Sequence, residues 1–202
     1  MAVKSTLKKS KTLKDLPILL FTNRKDWEVW LAKNQSKSPG LWLQIARKNA
    51  DIASVSYDEA LDVALCHGWI DGQKAGYDEL SWLQKFTPRG PRSIWSKRNR
   101  EKVEELTRRG QMKLSGLKAV KAAMENGRWE AAYDSQRTAE LPEDFKKELK
   151  KNAEAKAFFA TLNSVNRYAI LFRIQTAKKP ETRAKRIRQF IEMLERHEKI
   201  HN

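Results

Sequence analysis

The chain has 202 residues, of which 40% are hydrophobic and 33% charged, so it can bury a sizeable core and its composition is not that of a disordered protein. A net charge of +16 is large enough to attract polyanions or anionic membrane surfaces. One cysteine excludes an intramolecular disulfide, and no apolar run approaches the roughly 20 residues of a membrane span. With no recognisable secretory signal, we expect a soluble, cytoplasmic protein.

The N-terminal part is predicted to consist of a flexible basic tail at residues 1–14 and a domain that begins with a helix and a strand. In the stretch TNRKDWEVWLAKN, Trp27, Trp30 and Leu31 recur at spacings of three and four, which indicates one face of a short helix. The following stretch LWLQIARK alternates in the manner of a strand.

A second helix and a hairpin are predicted next. Ser56 with Glu59 three residues later is a capping box at a helix start, and Gly68 is expected to end that helix. The stretch WIDGQKAGYDELSWLQKFT then predicts two short strands around a turn. We therefore predict an α+β domain over residues 15–134, with a small antiparallel sheet packed with helices.

The rest of the chain is predicted to be helical. Ser93 is a candidate cap for a helix ending near Gly110, and SGLKAVKAAMENG predicts another helix. A boundary loop follows, and residues 141–200 form an all-helical C-terminal module. Three helices are expected there, in PEDFKKELKKN, in AEAKAFFATLN continuing into SVNRYAILFRIQTA, and in PETRAKRIRQFIEMLERHEKI, where Pro180 suits the first turn.

Three residues are candidates for catalysis. Cys66 and His67 are adjacent and Asp71 follows closely, which suggests a nucleophile, a base and an orienting acid. Adjacent helical residues point about 100° apart, so adjacency does not make a hydrogen-bonded pair. We favour a buried cysteine, a histidine at a helix end and an aspartate that closes a turn. No metal-ligand set, phosphate loop, dinucleotide fingerprint or serine elbow is present, so we expect no metal and no cofactor.

The stretch FTPRGPRSIWSKRNR at residues 86–100 is a candidate anion-binding segment because it is rich in arginine and contains no acid. Its arginines can make charge-assisted bonds, its tryptophan can stack on a base, and a helix start can present backbone N–H groups. The alternative is a core tryptophan with arginines that hold the loop. The candidates are Arg89, Arg92, Trp95, Lys97, Arg98 and Arg100.

A second basic face is predicted on the last helix, where four cations follow a short turn as they do in a helix-turn-helix recognition element. Few asparagines or glutamines accompany them, so a solvated basic face is the alternative that we favour. The four residues are Arg183, Lys185, Arg186 and Arg188.

Four stretches resemble the YdeI/OmpD-associated family, also called bacteriocin-protection proteins: EALDVALCHGWIDGQ, FTPRGPRSIWSKRNREKVEEL, GLKAVKAAMENGRWEAAYD and NRYAILFRIQTAKKPETRAKRI. The resemblance covers residues 20–195 and departs from the family at Gly90 and in GQMKLSG. It implies a defining helical module at the C-terminus and a YdhG-like α+β domain before it. It also implies protection against bacteriocins or cationic antimicrobial peptides, association with a porin and a periplasmic location, and it brings no catalytic residues.

The high positive charge disagrees with part of these implications, because a protein at +16 repels a cationic peptide. We therefore predict a bacterial protein that acts in antimicrobial-peptide or stress resistance by non-specific binding of an anionic ligand or nucleic acid through the basic loop and helix. Two alternatives remain: an enzyme with a cleft near Trp69, Asp71 and the hairpin, and an adaptor for a protein partner.

Overall fold

The computed structural model describes residues 16–202, so the tail predicted at 1–14 lies outside the described part. The chain divides into two compact units. The first unit comprises the described residues up to Ser93 together with Asn99–Trp129, and the second comprises Ile94–Arg98 with Glu130–Asn202. A sheet lies in the first unit and four helices form most of the second, which confirms the α+β class.

The sheet of the first unit has four strands, β1 (Ile18–Leu20), β2 (Leu41–Ala46), β3 (Trp69–Gly76) and β4 (Ser81–Pro88), in the order β1-β2-β4-β3. The predicted hairpin is the antiparallel pair β3 and β4, and β4 also pairs antiparallel with β2. The sheet is mixed rather than wholly antiparallel, because β1 pairs parallel with β2. With only three residues, β1 is too short to show a periodic pattern.

Four helices precede residue 130 in the chain: α1 (Arg24–Asn34), α2 (Tyr57–Cys66), α3 (Lys97–Arg108) and α4 (Leu114–Glu125). The predicted capping box is present at α2, where the Ser56 hydroxyl accepts from the backbone of Glu59 and the Glu59 carboxylate accepts from that of Ser56. These bonds satisfy N–H groups that have no partner inside the helix. Gly68 follows α2 with a φ of +75°, a left-handed conformation that glycine adopts without strain.

Aromatic rings fill the core between α1 and the sheet. The rings of Trp27 and Trp30 are stacked with centroids 5.6 Å apart, and Trp69 meets both of them edge-on. Phe86 from β4 lies 5.7 Å from Trp27, whose indole N–H donates to the carbonyl of Ala60 at 3.0 Å. Trp27 and Trp30 lie on one face of α1, as predicted, and that face packs against the core.

The start of α3 differs from the prediction. Ser93 does not cap a helix, because its hydroxyl accepts from the backbone N–H of Gly90 at 3.0 Å and closes a turn within the Pro-Arg-Gly-Pro-Arg-Ser stretch. The helix begins four residues later, at Lys97. A serine in a loop can bond a preceding N–H group as readily as a following one, so the residue type alone did not fix the boundary.

The second unit contains α5 (Glu143–Lys151), α6 (Ala153–Thr161), α7 (Ser164–Gln175) and α8 (Pro180–Glu195). Three helices were expected where four are present, because the predicted middle helix is broken into α6 and α7. The Asn163 side chain accepts from the backbone N–H of Asn166 at 2.9 Å and thereby starts α7. Val165, which continues the apolar spacing of three and four across this break, is 52% exposed. Pro180 opens α8 as predicted.

The core of the second unit is formed by apolar side chains from all four helices. Its fully buried members include Phe145 of α5, Ile170 and Ile174 of α7, and Leu194 of α8. Phe145 meets Phe159 of α6 edge-on at 5.6 Å. This packing fixes the positions of the charged side chains on the outer faces of α7 and α8.

Candidate functional site

Cys66 and His67 are both buried at the C-terminal end of α2, each with 4% of its surface exposed. Burial raises the pKa of the Cys66 thiol to about 11, so the thiolate needed for nucleophilic attack is scarce at neutral pH. Burial also lowers the pKa of His67, whose Nδ1 lies 3.2 Å from the Oε1 of Gln35. The pair therefore has the character of a buried thiol and a neutral imidazole.

Asp71 lies elsewhere, because its carboxylate accepts a hydrogen bond of 2.7 Å from the Tyr57 hydroxyl. Tyr57 is the first residue of α2 and Cys66 is the last. At a rise of about 1.5 Å per residue these two helix positions are roughly 13 Å apart. Within residues 16–202 Asp71 has no hydrogen bond to Cys66 or His67, so the three side chains do not form a hydrogen-bonded catalytic group.

A cavity of about 320 Å³ lies beside Cys66 in the first unit. Its polar wall comes from α1 and from the turn between α3 and α4: Arg24, Glu28, Gln111 and Lys113. The Arg24 guanidinium donates to the Gln111 side-chain oxygen at 3.2 Å, and the Lys113 ammonium lies 3.0 Å from the Glu28 carboxylate. The hydrogen bond from Lys113 lowers the pKa of Glu28. This hydrogen bond and this ion pair hold the four side chains at the cavity wall.

Three of the predicted anion-binding residues belong to the first unit. Arg92 is exposed and Arg89 is partly buried. Arg100 donates from Nη1 to the carbonyl of Trp129 at 2.8 Å, and its guanidinium lies over the Trp129 ring at 5.3 Å. Arg100 is therefore fixed against the protein itself, whereas Arg92 faces solvent.

The other three belong to the second unit. Trp95 is only 2% exposed, so its ring lies in the core and offers no face on which a base could stack. The Lys97 ammonium lies 2.6 Å from the Asp134 carboxylate, which also accepts from the Gln175 amide at 2.6 Å. Burial opposes ionisation of Asp134, but the bonds from Lys97 and Gln175 outweigh it and the pKa of Asp134 is lowered. Arg98 is exposed.

A cavity of about 500 Å³ in the second unit is lined by one cation from each predicted basic set, Lys97 and Arg183. Both cations are already paired with carboxylates: Lys97 with Asp134, and Arg183 with Asp144 through bonds of 2.6 and 2.9 Å. Arg183 also donates to the carbonyl of Ile174 at 3.0 Å. Lys97 and Arg183 therefore connect segments of the second unit that are distant in sequence.

The remaining cations of the second basic face differ among themselves. Arg186 donates to the backbone carbonyl of Arg173, so it is held against α7. Lys185 and Arg188 are exposed on α8, and their side chains have no hydrogen bond or ion pair within residues 16–202. Lys178 and Lys179, in the turn before α8, are exposed and unpaired in the same sense. These four unpaired cations lie between the end of α7 and the middle of α8.

Several of these residues were not predicted from the sequence. Lys178 and Lys179 stand as a pair before Pro180, a signal that could have added them to the second basic face. Asp134 and Asp144 gave no such signal, because their roles depend on cations distant in sequence. No local sequence pattern indicates that Arg24 and Lys113 line a cavity, because they are distant in sequence.

Two family models match the chain. Residues 19–119 match a domain of unknown function (DUF8412), and residues 138–197 match the bacteriocin-protection, YdeI or OmpD-associated family. No curated protein and no solved structure is significantly similar to the chain. Over residues 16–202, no helix is long and apolar enough to cross a membrane, and no three side chains are grouped as metal ligands would be.

Proposed function

Since the chain belongs to the DUF8412 family and carries a bacteriocin-protection, YdeI or OmpD-associated domain at residues 138–197, we propose that it is a binding protein for an anionic polymer. The contact surface is formed by the unpaired cations around α8, which we name the α8 basic surface. It consists of Lys178, Lys179, Lys185 and Arg188.

One observation supports this choice of surface. The cations of the predicted loop and helix that were expected to bind the partner include Lys97 and Arg100, and both are engaged with the protein's own acceptors. Those of the α8 basic surface are exposed and have no such acceptors in the described part of the chain. An unpaired lysine or arginine gives up no intramolecular ion pair when it meets a phosphate or carboxylate, so its binding free energy is not reduced by that loss.

The arrangement favours binding by charge rather than by sequence. Residues 178–188 contain six lysines and arginines and a single acid, Glu181. Lys185 and Arg188 are three positions apart and therefore neighbours on one helix face. No asparagine stands within that stretch to read a base edge, so we expect contacts to the backbone of a nucleic acid rather than to its bases.

The test is a titration of the protein with a short fluorescent DNA duplex of random sequence, repeated over a range of salt concentrations. The double variant Lys185→Ala/Arg188→Ala removes two unpaired cations. Its matched control, Lys146→Ala/Lys151→Ala, removes two cations from α5 of the same unit that are paired with Glu143 and Glu148. Net charge changes equally in both variants.

We expect the α8 variant to bind DNA more weakly and to reduce the slope of log K against log salt by about 2. The α5 control should retain the wild-type slope. Equal losses in the two variants would show that only the overall field of the protein matters, and would overturn the α8 assignment. Absence of binding at low salt would overturn the proposed function itself. Inorganic polyphosphate in place of DNA then separates recognition of charge from recognition of a duplex.

The biological setting that we propose is antimicrobial-peptide or stress resistance in the cytoplasm. The family description of residues 138–197 supports the role in resistance. The presence of a single cysteine in the chain, which allows no intramolecular disulfide, supports the cytoplasmic location. A bacterial strain lacking the protein should survive peptide or oxidative challenge less well than its parent. If the α5 control restores survival and the α8 variant does not, survival depends on the α8 basic surface. If both variants restore it, survival does not depend on that surface.

A further inference from the structure

The cavity beside Cys66 has at its wall a guanidinium that no carboxylate of the described residues contacts directly. Arg24 lies at its wall, and its hydrogen bond is to the neutral side chain of Gln111. Within residues 16–202 no carboxylate is paired with this guanidinium. A partly buried guanidinium with a neutral neighbour favours a carboxylate or phosphate as its partner.

Acceptors lie near the same cavity. One oxygen of the Glu28 carboxylate is bonded to Lys113, and the second oxygen has no partner in residues 16–202. Glu28 therefore has room to accept a further hydrogen bond. Because a carboxylate accepts only, the group that it would meet is a donor, and a cationic donor forms the stronger bond.

His67 lies near the charged wall of this cavity and has an unsatisfied ring nitrogen. Its ring is buried and its Nδ1 faces the Gln35 oxygen, which is an acceptor, so the ring hydrogen is on Nδ1 and Nε2 is left with a lone pair. That Nε2 is buried without a hydrogen-bond partner among the described residues. His67 interacts electrostatically with Glu28 and Lys113, which both line the cavity.

We infer that this cavity binds a small zwitterion of the amino-acid class, with its carboxylate on Arg24 and its ammonium group on Glu28. Val63 and Cys66, which also line the cavity, provide an apolar surface for a side chain. The volume of about 320 Å³ lies at the lower end of the range for small-molecule sites. This site is separate from the α8 basic surface, and either proposal can fail without the other.

Cys66 makes the inference testable, because it lines the cavity and is the only cysteine of the chain. The rate at which iodoacetamide alkylates the native protein reports how accessible this thiol is. The common L-amino acids, each at millimolar concentration, are the probes. An amino acid that binds should slow alkylation severalfold, and calorimetry on the unmodified protein should show saturable binding of the same compound.

Each amino acid is compared with two analogues that keep only one of its charged groups. For leucine these are 4-methylpentanoate, which lacks the amine, and 3-methylbutylamine, which lacks the carboxylate. For whichever amino acid protects Cys66, both one-charge analogues should fail to do so. The variant Arg24→Gln should abolish protection, whereas Lys25→Gln, which removes an exposed charge from the same helix, should leave it intact. Arg24→Lys, which keeps the charge, should restore part of it.

Three results would overturn the inference. The first is that no amino acid protects Cys66 or binds in calorimetry, which would mean that water satisfies the cavity. The second is equal protection by the one-charge acid, which would make it a simple anion site. The third is loss of binding in Lys25→Gln to the same extent as in Arg24→Gln, measured on variants whose thermal unfolding shows them folded.

Discussion

Gly116 of α4 lies directly against the backbone of Cys66 at the end of α2. A Cβ atom at Gly116 would stand 2.9 Å from the carbonyl carbon of Cys66 and closer still to its oxygen. Both neighbours are backbone atoms, so neither can rotate away. The two helices can approach this closely only because residue 116 has no side chain.

The variant Gly116→Ala should therefore lower the free energy of unfolding, by about 1–3 kcal/mol. Alanine improves helix propensity by about 1 kcal/mol, but the backbone contact at Cys66 is expected to outweigh this gain. Urea unfolding measures the change. The control is Gly76→Ala, where nothing lies within 4 Å of the added methyl group. A neutral result at both positions would show that α4 moves away from α2 without cost.

The thiol of Cys66 should make stability depend on pH in the alkaline range. Burial raises its pKa from 9.0 to about 11, so the folded state holds the proton more tightly than the unfolded state. The contribution is fully present below pH 9 and is lost as pH rises toward 11. The stability difference between the wild type and Cys66→Ala, measured by urea unfolding, should narrow over this window. The subtraction removes the effect of lysine titration, and a constant difference would contradict the prediction.

The ion pair between Arg183 and Asp144 joins α8 to α5 and should contribute modestly to stability. Its two bonds favour coupling, but both side chains are partly exposed, so we expect a coupling free energy of about 0.5–1 kcal/mol. A double-mutant cycle with Arg183→Ala and Asp144→Ala measures it. The bond from Arg183 lowers the pKa of Asp144 below 3.8, so the coupling should be complete above that pH and disappear as pH falls below it. Coupling unchanged in strong acid would rule the ion pair out as its source.

Trp95 and Arg92 should respond very differently to truncation. Trp95 is 2% exposed, and Trp95→Ala should cost about 3–5 kcal/mol of unfolding free energy through the cavity it leaves. Arg92 is exposed, and Arg92→Ala should change stability by less than about 0.5 kcal/mol. Thermal unfolding of both variants provides the measurement. A small loss for Trp95→Ala would mean that this ring does not support the core.

Helix ends could be predicted from the sequence where the interactions that form them involve residues close together in the chain. The capping box of α2, the glycine that ends it and the proline that opens α8 each act within a few residues, so the sequence shows the complete interaction. The break between α6 and α7 was missed, although Asn163 is a good cap, because the apolar spacing continues across it. Val165 fits that spacing, but its side chain is exposed and lies outside the core.

Contacts between distant residues could not be predicted in this way. Composition identified the cations correctly as a class, but Lys97 and Arg183 find carboxylates 37 and 39 positions away. Only the fold decides which cation is neutralised and which remains free to meet a partner. For the same reason, the pairing of β1 with β2 and the cavity beside Cys66 had no counterpart in the sequence patterns.

The tryptophans give the molecule two separate optical reporters. Trp95 is the only one of the seven in the second unit, and the other six lie in the first. The stacked rings of Trp27 and Trp30, with Trp69 edge-on to both, form a chiral array of coupled chromophores that exists only while α1 packs on the sheet. Near-ultraviolet circular dichroism therefore follows the first unit, and the fluorescence of a Trp95→Phe protein, subtracted from the wild type, isolates the second. The native chain can thus show whether its two units unfold together.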